Sequence, residues 1–241
     1  MRSISSFVLL LVPVCLVTEV CSGCASSAPS EHVAPLDAAL DARENGNDAR
    51  EAGSFEAHYA TKVVSYSPGD GGGYNSDKLP GVVLGPPEGG GCCAGSVDVV
   101  SLGNGGEIVL GFDVEIVDGP GVDFLVFENP FDIGGDPKNP LAEPGEVSVS
   151  EDGKTWTTWP CTATTYPYGA CAGWHPVLAT KASGVDTRDP AKSGGDPFDL
   201  ADLGVARARY VRIRDMNRKF PAKDGTAGFD LDGVAVIHWS P

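Results

Sequence analysis

Beyond residue 60 the chain never sustains apolar residues at helical spacing over a helix-length segment. Its apolar runs are short, and each ends at glycine, proline, asparagine or aspartate. VVSYS (63–67), SVDVVSLG (96–103), EIVLGFDVEIVDG (107–119), VDFLVFEN (122–129), EVSVSEDGKTWTTWP (146–160), RYVRIRD (209–215) and FDLDGVAVIHW (229–239) follow one another in this way. Runs of this length between turn signals read as strands, and many of them without helices read as an all-β sandwich or jelly roll. The 32 glycines and 19 prolines suit a fold with many tight turns. With 241 residues, 41% of them hydrophobic, there is enough apolar surface for one core. Asn104-Gly105-Gly106 predicts a hairpin joining 96–103 to 107–119, and Asp152-Gly153 predicts another inside 146–160. VDFLVFEN alternates little, which predicts a strand buried on both faces.

The N-terminus reads as an export signal over residues 1–23. Arg2 is followed by the apolar stretch Phe7 to Val17, too short to span a bilayer as a permanent anchor. The sequence CSGC, ending at Cys24, resembles the lipobox of bacterial lipoproteins, with Cys21 where leucine is usual. That resemblance implies lipidation of Cys24, and Ala25 after it resembles sorting to the outer membrane or cell surface. Residues 24–57 carry few large apolar side chains and predict a flexible tether. A tether of that length holds a domain about 30 Å from a membrane. Residues 58–241 are then the folded domain. With 17 basic residues against 33 acidic, the net charge of -16 disfavours nucleic acid and anionic lipid as partners and favours divalent cations. The membrane is thus a partner only through the lipid anchor.

Four cysteines remain in the exported part: Cys92, Cys93, Cys161 and Cys171. An even number in an exported chain predicts two disulfides. Cys161–Cys171 closes a short loop and leaves the adjacent Cys92–Cys93. The competing arrangement ties the two loops together. No pair of His or Cys at ligand spacing supports zinc.

Three segments carry a wider likeness. EVSVSEDGKTWTTWP resembles the strand–turn–strand of discoidin-type, galactose-binding-like domains, ARYVRIRD (208–215) is similar to a later strand of that fold, and GFDLDGVAVI to its closing strand. The order of these and of GVDFLVFEN and GGDPFDLADLG (194–204) resembles uncharacterised bacterial cell-surface proteins. The likeness spans most of residues 60–240, except the double cysteine and the segment from Tyr166 to Gly194. It implies a β-sandwich that binds without catalysis, and a glycan or other surface polymer as the ligand class.

Candidate chemistry lies at strand ends and loops. Calcium takes six to eight oxygen ligands, mostly from irregular segments. Glu128, Asp196, Asp202, Asp230 and Asp232 are the candidate ligands. In a regular strand Asp230 and Asp232 share one face. Asp199 competes with this reading in its own stretch, as an N-cap closed by Gly204, with Phe198, Leu200 and Leu203 turned to the core. Tyr166, Tyr168 and Trp174, in or beside the 161–171 loop, are the candidate ligand-binding aromatics, with Tyr74 and Trp159 as weaker candidates; Trp156 and Trp239 are expected in the core. Neither a nucleophile elbow nor a phosphate loop is present, and the four histidines are scattered, so a hydrolase is the weakest reading. A purely structural or adhesion module, stiffened by calcium, is the alternative.

Overall fold

The computed structural model describes residues 58–180, 182–217 and 227–241. The expected signal peptide, Cys24 and the tether lie outside the described residues. The domain is all-β, a sandwich of two antiparallel sheets, with its only helical pieces single 3-10 turns among the described residues.

The first sheet runs β1 (Lys62–Ser67), β3 (Glu107–Val117), β10 (Arg207–Asp215), β7 (Gly145–Ser150), β8 (Thr157–Thr158). The short β12 (Trp239–Ser240) also pairs with β3, at Ile116 and Glu115. The second sheet runs β2 (Val100–Ser101), β11 (Asp230–Val236), β4 (Phe124–Glu128), β9 (Asp196–Phe198). Phe131–Asp132 (β5) and Pro140–Leu141 (β6) form a small ribbon beside them.

Alternation explains the layers. Val147 and Val149 on β7, Val211 and Ile213 on β10, and Ile108 and Leu110 on β3 turn into one core with Phe124 and Val126 of β4 and Leu231 and Val236 of β11. The opposite face of β4, Leu125 and Phe127, packs with Tyr59, Val177 and Ala235 in a second apolar cluster. All five residues of β4 are buried, as its unbroken apolar run predicts.

Two local expectations are corrected. Residues 96–103 and 107–119 do not make a hairpin. β2 pairs with β11 in one sheet and β3 with β1 and β10 in the other, so Asn104-Gly105 carries the chain between layers. In the second sheet the register jumps from Leu231 opposite Glu128 to Gly233 opposite Phe127, leaving Asp232 as the extra residue of a bulge. The bulge breaks the period-two alternation that had put Asp230 and Asp232 on one face.

The hairpin at Asp152-Gly153 forms as read. Gly153 has φ 70°, and Asp152 Oδ1 accepts from the amides of Lys154 and Thr155 at 2.8 Å each. In GGDPFDLADLG, Asp199 caps the 3-10 turn Leu200–Leu203 by accepting from Ala201 N, and Gly204 ends it at φ 64°. The disulfides are Cys161–Cys171 and Cys92–Cys93.

Candidate functional site

Where the second sheet ends, three carboxylates converge. Glu128 is the last residue of β4, and Asp230 opens β11 opposite Ser101. Glu143 arrives from the connection between β6 and β7. One carboxylate oxygen from each lies within 4.8 Å of the other two. Glu128 is 1% exposed and Asp230 9%. Few groups answer them. Asp230 N donates to Glu128 Oε1 at 3.1 Å, and Gly228 N donates to Glu143 Oε1 at 3.1 Å. Glu128 Oε2 and Asp230 Oδ1 are buried with no hydrogen-bond partner.

Burial, then the neighbouring carboxylates of Asp230 and Glu143, push Glu128 well above the usual carboxylate range. Burial, with Asp230 close by, raises Glu143 to about 8. Burial raises Asp230 to about 6, partly offset by the Ser101 and Asn129 side chains beside it. The Ser101 hydroxyl donates to Ala227 O at 2.9 Å, and Tyr66 closes the site from β1 by donating to Ser101 O at 2.7 Å.

The other expected ligands lie elsewhere. Asp196 is buried, but its Oδ2 accepts from Gly173 N at 2.6 Å and its Oδ1 faces His175 Nδ1 at 2.7 Å, so both oxygens are engaged. Burial raises its pKa, against the lowering effect of His175. Asp202 is exposed on the 3-10 turn and belongs to no cluster among the described residues. Asp232, displaced by the bulge, accepts from Glu88 N through both oxygens at 3.0 and 3.1 Å and so holds the 85–91 loop. In a second acidic group, Asp118, Asp123 and Asp199, the buried member and the cap already have partners. Asp123 alone accepts from Gly119 N at 2.8 Å, Leu200 N at 2.7 Å and His238 Nδ1 at 2.9 Å. Sequence reasoning missed Glu143. Its signal was slight: a lone glutamate flanked by Ala142 and Pro144, in a connection with no periodicity.

The expected aromatics do come together. The Tyr166 ring lies 5.8 Å from that of Trp174 at 81°, and the Tyr168 ring 6.2 Å from it at 59°. His175, adjacent in sequence, packs its ring 3.7 Å from Trp174. The Cys161–Cys171 bridge closes the loop that carries both tyrosines, and Trp174 Nε1 donates to Cys171 O at 2.8 Å. Tyr166 is 41% exposed. The two tryptophans of the Asp152 hairpin exchange their expected roles. Trp159 is in the core, 4.9 Å from Phe198 and 5.7 Å from Phe124, while Trp156 is half-exposed under Arg212, whose guanidinium lies 4.6 Å from its ring.

Three backbone hydrogen bonds join the two regions. Glu143 N donates to Gly173 O at 3.2 Å, and Gly145 and Ala172 exchange amide bonds at 3.0 Å. Gly173 has φ 88°, and a Cβ there would stand 2.4 Å from Glu143 O, so only glycine lets the aromatic loop approach this connection. Comparison with known proteins finds no family model and no curated relative that matches the chain.

Proposed function

We propose that this is an exported, lipid-anchored protein of the bacterial surface whose sandwich is a non-catalytic binding module. Its ligand is a glycan or a related surface polymer, held on Tyr166, Tyr168 and Trp174. The observation that carries this reading is the cluster itself: two tyrosine rings on a disulfide-closed loop and the Trp174 ring just beyond it, beside an imidazole whose Nδ1 faces a buried carboxylate. Sugars present apolar CH faces that stack on aromatic rings, and their hydroxyls need hydrogen-bonding groups at the rim. His175 meets the second need. With Nδ1 engaged by Asp196, its Nε2 is the nitrogen left for a ligand hydroxyl. The discoidin-like order of motifs supports the same ligand class, and the Cys24 sequence supports the surface location.

The rival reading is a structural module in which these rings pack only on one another. A glycan array followed by titration calorimetry of the full chain separates the two. A saccharide ligand whose affinity falls about tenfold or more in Trp174→Ala, and less in Tyr166→Ala, supports the binding module. No ligand on the array, or a ligand indifferent to both substitutions, overturns it.

A further inference from the structure

We propose that Glu128, Glu143 and Asp230 hold a calcium ion. Three acidic side chains in proximity do not by themselves make a metal site, but these include two buried oxygens, Glu128 Oε2 and Asp230 Oδ1, with no hydrogen-bond partner. Buried polar groups in folded proteins are nearly always partnered, and a buried carboxylate most of all. Among the described residues no Lys, Arg or His forms an ion pair with any of the three. Backbone amides near Glu128 and Glu143, Asp230 N and Gly228 N through Oε1 among them, still leave Glu128 Oε2 and Asp230 Oδ1 without a partner.

A cation at the centre supplies what is missing, and the spacing suits it. Calcium–oxygen distances of about 2.3–2.6 Å allow two ligands of one ion to be up to about 5 Å apart. The three oxygens, mutually within 4.8 Å, fall inside that limit. The donors are all oxygen, which selects a hard cation over zinc or copper. Burial selects between the hard cations. Magnesium sheds water reluctantly and keeps several waters, whereas calcium accepts bidentate carboxylates in irregular geometry. Glu128 at 1% exposure leaves little room for a hydrated ion. The Ser101 hydroxyl, next to Asp230, offers a further oxygen beside the three carboxylates.

The proposal does not depend on the glycan reading, and its test uses calcium alone. The full chain, stripped with EDTA and dialysed, is titrated with calcium chloride in a calorimeter and then melted with and without the ion. The expected result is one equivalent bound, with half-saturation between about 1 µM and 1 mM, and a higher melting temperature. Glu128→Gln should weaken binding at least about 100-fold. Glu143→Gln, at the partly buried ligand, gives a second reading should the first variant misfold, and it too should lose most of the affinity. Asp202→Asn should bind calcium as the parent does. The proposal falls if the stripped, folded chain takes up no calcium, if the two glutamine variants bind like the parent, or if magnesium or zinc binds more tightly than calcium.

Discussion

Two groups of buried acids stand in this fold, and they solve the same problem in opposite ways. Asp215, at the end of β10, is 5% exposed. It accepts from Gly105 N at 2.8 Å, Asn217 N at 2.6 Å and Phe229 N at 2.9 Å. Asp123 is arranged likewise, with two amides and an imidazole. These side chains act as fixed acceptors that pin loops to strand ends. Glu128 and Asp230, equally buried, gather each other's charge and leave oxygens unanswered. Burial of an aspartate is therefore a poor guide to metal binding. The state of its lone pairs is a better one.

The largest effect that would test this contrast is truncation. Asp215→Ala strands three amide donors, all outside the strands, at about 1–3 kcal/mol for each that stays buried. Urea unfolding should show a loss of about 3 kcal/mol or more, and added calcium should not restore it. Glu128→Gln in EDTA should cost little or even raise stability, because it removes a buried charge rather than a buried partner. If both variants are equally destabilised in EDTA, the contrast is wrong.

Next in size is the pH dependence of the calcium-free protein. Glu143 rises from its ordinary 4.5 to about 8 and Asp230 from 3.8 to about 6. Their folded-state pKa values lie above the unfolded ones, so over this window the folded chain binds more protons. Stability is then full below about pH 4 and falls as pH rises through 6 and towards 8. Calcium binds the ionised form, so at saturating ion the decline should flatten. Urea midpoints across pH 4–8, with EDTA or with calcium, check both curves. A calcium-free protein that gains stability over this range would contradict the arrangement.

The smallest expected effect is at the edge of the site. Tyr66→Phe removes the hydroxyl that donates to Ser101 O at 2.7 Å. A cost of about 1 kcal/mol and a calcium affinity lower by less than about tenfold are expected, since Ser101 adjoins Asp230 without being one of the three carboxylates. A larger loss would make Tyr66 part of the ion's immediate surroundings.

Much of the fold was legible in the sequence because it follows from period and punctuation. Apolar runs of strand length, closed by glycine and proline, are enough for an all-β sandwich. The Asp199 cap and the Asp152 turn are local chemistry, written in consecutive residues. The site was legible only in part. Glu128 and Asp230 stand out as acids at the ends of apolar strands, but Glu143 sits in a connection, brought near by the pairing of β7 with β10, which no local pattern announces. Asp232 was misplaced for another reason. A bulge changes which way a residue faces, and nothing in FDLDGVAV marks one apart from Gly233. Trp159 and Trp156 were exchanged because the paired part of the hairpin's second arm is only Thr157–Thr158, too short to carry an alternation.

Gly173 carries a consequence beyond sterics. It lets the aromatic loop lie against the backbone of Glu143, so the loop that would hold a polymer and the side chain that would hold an ion share one stretch of hydrogen bonds. On the two proposals above, whatever free energy the ion contributes to ordering that stretch would be returned when the polymer binds, and by the same factor in the other direction. If both proposed ligands bind, the salt composition of the medium sets how firmly the polymer is gripped, and a gripped polymer slows the escape of the ion.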